Sequence, residues 1–239
     1  MRFELYLESG PQHRKTWIYV PSLPGCSTVS PTTEAAAGFA AAAIRERLDF
    51  LRHHGEVVPD PEPMELVVAN HVIERKFLGF GQGAFPSDRE PMPADEVTRD
   101  LRWAEWSRDE LIAAAGAQPR PLSEKPAAGG RSAAAILSHV AEAEWSYVGT
   151  TLGSIPGGGA IMAAIEMATI ERAGNEPWAA LAAEREALFE RLRRITPEEL
   201  ARVVERGEGK PPRSARRMLR RLLEHEWEHV LELRSRLGG

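Results

Sequence analysis

The chain opens with strand-period patterning. Phe3-Glu4-Leu5-Tyr6-Leu7 alternates apolar and polar side chains, and Trp17-Ile18-Tyr19-Val20 is dense in β-formers, with turn chemistry at Ser9-Gly10-Pro11 between them. Pro21-Ser22-Leu23-Pro24-Gly25 is irregular, and a short β-prone piece follows from Cys26 to Val29. The period then turns helical. Thr32 or Thr33 can cap a long helix running to about His54, with Glu34 in its first turn and Gly55 past its end. Leu66-Val67-Val68 and Val72-Ile73 predict a further strand. Strand, strand, strand, helix, strand describes a small α+β unit whose helix covers one face of a sheet.

A Gly- and Pro-rich segment, Gly79 to Pro93, reads as a linker, and beyond it the patterning is helical throughout. Asp95 to Ala117 forms one helix and Pro119 to Gly130 a loop. Ser132 caps a second helix to Leu152. A break at Gly157–Gly159 precedes a short helix from Ala160 to Arg172, and Asn175 caps a third long helix to Ile195. Thr196-Pro197-Glu198-Glu199 has the form of a capping box with proline at the first helical position. Ser214 to Leu237 forms the last long helix, ended by Gly238. The expected organisation is an α+β domain over residues 1–78, a linker over 79–93 and an all-α four-helix bundle over 94–239.

Composition narrows the classes. With 239 residues, 43% hydrophobic and 27% charged, the chain can bury a core and is not disordered. A net charge of −5 argues against nucleic acid as a partner. No apolar run reaches the length of a membrane span, and Met1 to Gly10 lacks a signal peptide's positive leader, so the expected compartment is the cytoplasm. The single cysteine, Cys26, excludes a disulfide framework and a cysteine-built metal site.

Histidines carry the candidate chemistry. His225 and His229 are four apart on the last helix, so one turn can present both imidazoles to one metal. His229 falls on the stripe of Met218, Leu222 and Leu233, with His225 at its edge, and buried imidazoles require partners for their nitrogens. On the second helix His139 falls near the centre of a face defined by Ala135, Ile136, Ala143, Tyr147 and Thr150. Two packed antiparallel helices can bring this third imidazole to the other two. Three neutral imidazoles leave coordination positions open for water or substrate, with Glu142 and Glu226 available to orient the ligands. The alternative is three histidines bonded to backbone carbonyls. His225-Glu226-Trp227-Glu228-His229 also satisfies H-E-x-x-H, but only ten residues follow it and none is histidine, which disfavours a zinc protease.

Residues 95–239 resemble the DinB-like superfamily of metal-binding four-helix bundles. The resemblance rests on Ile136-Leu137-Ser138-His139-Val140-Ala141-Glu142, on Leu188-Phe189-Glu190-Arg191-Leu192 with Thr196 to Leu200, and above all on Leu222-Leu223-Glu224-His225-Glu226-Trp227-Glu228-His229. It implies that His139, His225 and His229 bind zinc, nickel or a similar divalent ion. It also implies a thiol-dependent transferase, isomerase or hydrolase acting on a small molecule, with a low-molecular-weight thiol as cosubstrate.

The first half has its own resemblance. Val20-Pro21-Ser22-Leu23-Pro24-Gly25-Cys26 followed by Thr32-Thr33-Glu34-Ala35 is similar to the HicB-like antitoxin fold, over residues 1–75. Ser22 stands where that pattern carries an aspartate, which removes the acid a nuclease-type metal would use. This implies a binding or dimerising module, and an exposed sheet edge would suit a homodimer. The reading of a different class is therefore a non-catalytic, antitoxin-like regulatory module whose metal is structural.

Other features have plainer accounts. Cys26 reads as structural. Arg213, Arg216, Arg217, Arg220 and Arg221 read as a solvated face paired with Glu198, Glu199 and Glu205. Trp103, Trp106, Trp145 and Trp178 read as bundle packing, and His53 and His54 suit a helix C-terminus.

Overall fold

The structure is a computed structural model that describes residues 1–10, 14–73, 85–127, 129–155, 157, 159–160, 163, 178–207 and 210–237. Pro11, the linker residues 79–84, Gly158, most of the expected helix over 160–172, the expected cap Asn175 and the stop Gly238 lie outside these residues. The chain divides into two compact units, Met1–Pro91 with Val203–Glu224 and Met92–Arg202 with His225–Gly239.

The first unit is α+β with the expected order: β1 (Arg2–Ser9), β2 (Arg14–Tyr19), β3 (Ser27–Thr32), α1 (Ala36–His53) and β4 (Glu65–Ile73). They form one mixed sheet in the order β3-β2-β1-β4. β1 pairs antiparallel with β2, Tyr6 opposite Tyr19, and parallel with β4, with a bulge between Leu5 and Tyr6. Alternation is clean only at the start of β1, because Tyr6 to Ser9 are buried on both faces of a central strand. The two apolar fragments of the fourth strand form one continuous β4, since Asn70 pairs with Tyr6 and Ala69 is the extra residue of the bulge.

α1 packs on β2 and β3 through Ala36, Ala40, Ile44, Leu48 and Leu51, a stripe at helical spacing. Its start differs from the expectation. Thr32 is the last residue of β3, the Thr33 hydroxyl is bonded to that of Thr16 at 2.8 Å, and the helix begins after Ala35 with no side-chain cap. The Thr32 hydroxyl accepts the Ala35 N–H at 3.3 Å, in the turn ahead of the helix.

Phe85, within the expected linker, is buried against Tyr6 and Tyr19 with ring centroids 4.6 and 5.3 Å away. The short 3₁₀ turn Pro86–Arg89 that follows places Asp88 in the interior, where it accepts the Phe85 N–H. Asp88 also takes a two-pronged bond from Arg220 at 2.9 and 2.8 Å, and the Arg220 guanidinium lies 4.1 Å from the Phe85 ring centroid. The arginine cluster is therefore not a uniformly solvated face. Arg220 and Arg221 are buried and paired with Glu224, while Glu199 is bonded to Arg191 and Glu205 to Arg89. The two-residue strands β5 (Val203–Val204) and β6 (Arg213–Ser214) pair antiparallel within this unit.

The second unit is helical. It comprises α2 (Ala94–Gly116), α3 (Ala133–Leu152), α4 (Trp178–Arg193), α5 (Pro197–Ala201) and residues 225–235 of α6 (Ala215–Ser235), whose earlier residues count with the first unit. Ser132 caps α3 by accepting the Ala135 N–H. The Thr196–Glu199 capping box is formed in both directions, at 3.3 and 3.0 Å. Trp103 is buried, and Trp106, Trp145 and Trp178 are half-buried. Among the described residues no helix is long and apolar enough to cross a membrane.

Candidate metal centre

The inward face of α3 is not the one its wheel suggested. Ile136, Leu137, Val140, Ala141, Glu144 and Val148 are buried, whereas Ala135 and Thr150 are exposed. A whole stripe centred on Leu137, Ala141 and Glu144 faces the other helices, so His139 stands at its edge, half-buried. His225 and His229 project from α6 and are buried at 8% and 7% exposure. The site therefore has two imidazoles in the interior and one on its rim.

The three side chains converge. Each offers one ring nitrogen, and these nitrogens all lie within 4.8 Å of one another. Nε2 of His225 and Nε2 of His139 are 3.2 Å apart. In a tetrahedral shell with metal–nitrogen distances of about 2.0–2.1 Å, neighbouring nitrogens stand about 3.3 Å apart, so this separation suits two ligands of one ion. The rings meet edge to face, with centroids 4.7–5.3 Å apart. The Tyr147 ring stands against His225 at 6.0 Å.

His229 is oriented from outside. Its Nδ1 is 2.8 Å from Oε2 of Glu232, one turn along α6, which leaves Nε2 as the nitrogen to face the centre. The bond from His229 holds the Glu232 carboxyl below its usual range. Burial, with help from the charges of Arg131 and His229, pushes the His139 imidazole down to about 4 and keeps it neutral. Three imidazoles with one carboxylate behind them are the donor set a divalent cation requires.

The carboxylates expected behind the ligands stand elsewhere. Glu142 is exposed and bonded to the Ser138 hydroxyl at 3.3 Å. Glu226, though adjacent to His225 in sequence, points into the bundle and joins a buried charge cluster. Successive helical residues diverge by about 100°, so a neighbour in sequence is a poor candidate for the same site. Glu232 lies three residues beyond His229 on the same face, and that i,i+3 spacing was the available signal.

The cluster around Glu226 was not anticipated. Arg108 from α2 bonds Glu226 at 2.6 Å and Glu144 of α3 at 2.7 Å; Arg185 of α4 bonds the same two carboxylates at 2.6 and 2.8 Å. Glu184 completes it, 3.8 Å from Arg108, with no hydrogen bond to either carboxylate oxygen among the described residues. All five are buried. Burial works against the Arg108 cation, but Glu144, Glu226 and Glu184 outweigh it and raise its pKa. Burial drives the Glu144 carboxyl up to about 8 against the pull of both arginines, and it raises Glu184 as well. Three carboxylates facing two guanidiniums leave one acid in excess, which favours a retained proton in the cluster. The signal lay in the wheels: Arg108 interrupts the apolar stripe Leu101, Ala104, Leu111, Ala115, and Glu226 the stripe Leu219, Leu222, Val230, Leu233.

The fold and these residues define a helical unit with a histidine cluster. A family model of the DinB superfamily matches residues 104–233, and the chain belongs to that superfamily. Neither the curated proteins nor the solved structures contain a match to it.

Proposed function

We propose that His139, His225 and His229 bind one divalent metal ion, zinc or nickel, and that the centre serves a thiol-dependent transferase, isomerase or hydrolase acting on a small molecule. The observation that carries this reading is the approach of three ring nitrogens from two helices to within 4.8 Å, with Glu232 behind His229. A bound divalent ion with three imidazole ligands leaves positions for water or for the thiol of a low-molecular-weight cosubstrate, and it makes either easier to deprotonate. His225 and His229 hold their rings in the interior, His139 closes the set from the rim, and Glu232 fixes the His229 tautomer. Placing His139 at the edge leaves one side of the centre open to solvent, as a substrate site requires.

Metal content by elemental analysis of the dialysed protein tests this directly. About one divalent ion per chain is expected, lost in His139→Ala and in His225→Ala/His229→Ala. No ion after reconstitution with zinc, nickel and manganese would overturn it.

The β-β-β-α-β order of the first unit and its mixed sheet support a second reading, in which this unit is a HicB-like module that binds a protein partner or a second copy of the chain and the metal is structural. A coordination shell without exchangeable water, seen in the relaxation of water protons with a paramagnetic ion bound, would favour the module; exchangeable water favours the enzyme.

A further inference from the structure

The two helices that carry the candidate ligands are joined a second time, in the interior of the helical unit. Glu144 of α3 stands five residues after His139, and Glu226 of α6 directly follows His225. Two arginines from the other long helices bridge these carboxylates. Arg108 of α2 spans them with its fork, Nε to Oε1 of Glu226 at 2.6 Å and Nη2 to Oε2 of Glu144 at 2.7 Å. Arg185 of α4 spans them through one nitrogen, Nη2 to Oε1 of Glu226 at 2.6 Å and to Oε1 of Glu144 at 2.8 Å. All four side chains are buried.

Stability alone does not account for this arrangement, because replacing a buried ion cluster by apolar side chains of similar volume is often neutral or stabilising. What charge-assisted bonds add to apolar packing is direction. Glu144 lies about 140° around α3 from His139, and Glu226 about 100° around α6 from His225. Each helix therefore carries two fixed points on different sides, an acid in the charge cluster and an imidazole in the histidine cluster. Only one rotation of the helix about its axis satisfies both. A turn of about 20° would carry an atom about 5–6 Å from the axis through about 2 Å. Metal–ligand distances tolerate only about 0.2 Å. The bridges hold α3 and α6 in the rotation at which Nε2 of His139 and Nε2 of His225 stand 3.2 Å apart.

We propose that Arg108 and Arg185 are positioning residues of the metal centre, setting its ligand geometry by clamping Glu144 to Glu226 rather than by touching the ion. The inference rests on the metal reading above. Glu184 separates this role from mere membership of the charge cluster. It is as deeply buried and 3.8 Å from Arg108, but among the described residues it accepts no hydrogen bond and so bridges no helices.

The test uses the full chain with cobalt(II), reading its dissociation constant in competition with a chelator and its d–d absorption, which reports the geometry of the shell. Arg108→Lys keeps the charge and loses the fork, and Arg185→Lys does the same at the second bridge, so either variant decides the question if the other does not fold. Each should weaken cobalt binding about tenfold, the lower scale of losing an outer partner of a ligand, and should move the d–d bands. Glu184→Gln should leave both quantities at their wild-type values. So should Leu188→Ala, which removes a buried side chain from the helix of Arg185 and lowers stability without touching a bridge. Wild-type affinity and bands in the lysine variants would overturn the clamp. An equal loss in Glu184→Gln or Leu188→Ala would also overturn it, assigning the effect to the charge of the cluster or to lost stability. Failure of the wild type to bind cobalt would overturn the metal reading itself, and the role of the clamp with it.

Discussion

Arg108 and Glu226 meet inside the helical unit, Nε to Oε1 at 2.6 Å, with both side chains shielded from water. Arg108 stands near three buried carboxylates, Glu144, Glu184 and Glu226. Removing a buried partner leaves uncompensated charge, which costs far more than the pair contributes relative to an apolar substitute. Arg108→Ala should therefore lower unfolding stability by about 3–5 kcal/mol in urea denaturation. Glu184→Gln removes the carboxylate in excess and should change stability by less than about 1 kcal/mol, in either direction. A small loss for Arg108→Ala would mean that water reaches the cluster.

The same cluster sets a pH dependence. Burial raises the Glu144 carboxyl from its ordinary value near 4.5 to about 8, so the folded chain holds a proton that the unfolded chain releases. The contribution of this group is fully present below about 4.5 and is lost as pH rises towards 8. Unfolding free energy measured between pH 5 and pH 8 should fall across that interval, and the fall should flatten in Glu144→Gln. A slope identical in wild type and variant would show that the retained proton is not on Glu144.

Fold and site were legible in the sequence to different depths. Period and caps placed the order of the first unit, the Ser132 cap and the Thr196–Glu199 box, because local hydrogen bonds decide them. The start of α1 lies later than its threonines suggest, because Thr33 is bonded to Thr16, distant in sequence, and Thr32 accepts from Ala35 in the turn ahead of the helix. Hydrophobicity alone read α3 by its outer side, since a face holding Glu144 scores as polar although that carboxyl is buried. Arg220 read as solvated for the same reason: its partner Asp88 lies 132 residues away. The histidines were visible as a pair plus one, but the residue behind them was not, because orientation depends on which ring nitrogen faces inward.

Cys26 gives an independent check on the first unit. The thiol is buried, 1% exposed, and burial pushes its pKa up to about 12. Thiolate is the reactive form, so Ellman's reagent at pH 8 should label the native chain only as fast as it opens, and at once in urea. Rapid labelling of the native chain would show that the turn from Pro21 to Cys26 opens on its own.

The final prediction concerns which carboxylate supports the histidines. Glu232 receives Nδ1 of His229, whereas Glu142 is bonded to Ser138 on an exposed side of α3. A carboxylate behind a ligating imidazole fixes its tautomer and raises its basicity, and losing such a partner lowers metal affinity about 10–100-fold. Glutamine keeps the volume of Glu232 and removes the charge, so Glu232→Gln should weaken zinc binding by that factor in competition with a chromogenic chelator. Glu142→Gln should leave it unchanged. Because Glu232 also anchors Arg236, the comparison needs Arg236→Gln, which removes that contact while leaving the carboxylate on His229. Weakening in Glu232→Gln that Arg236→Gln does not reproduce assigns the effect to the imidazole. Equal weakening in both would assign it to the bond that Arg236 donates to the Arg131 carbonyl ahead of α3, and weakening in Glu142→Gln alone would return the supporting role to α3.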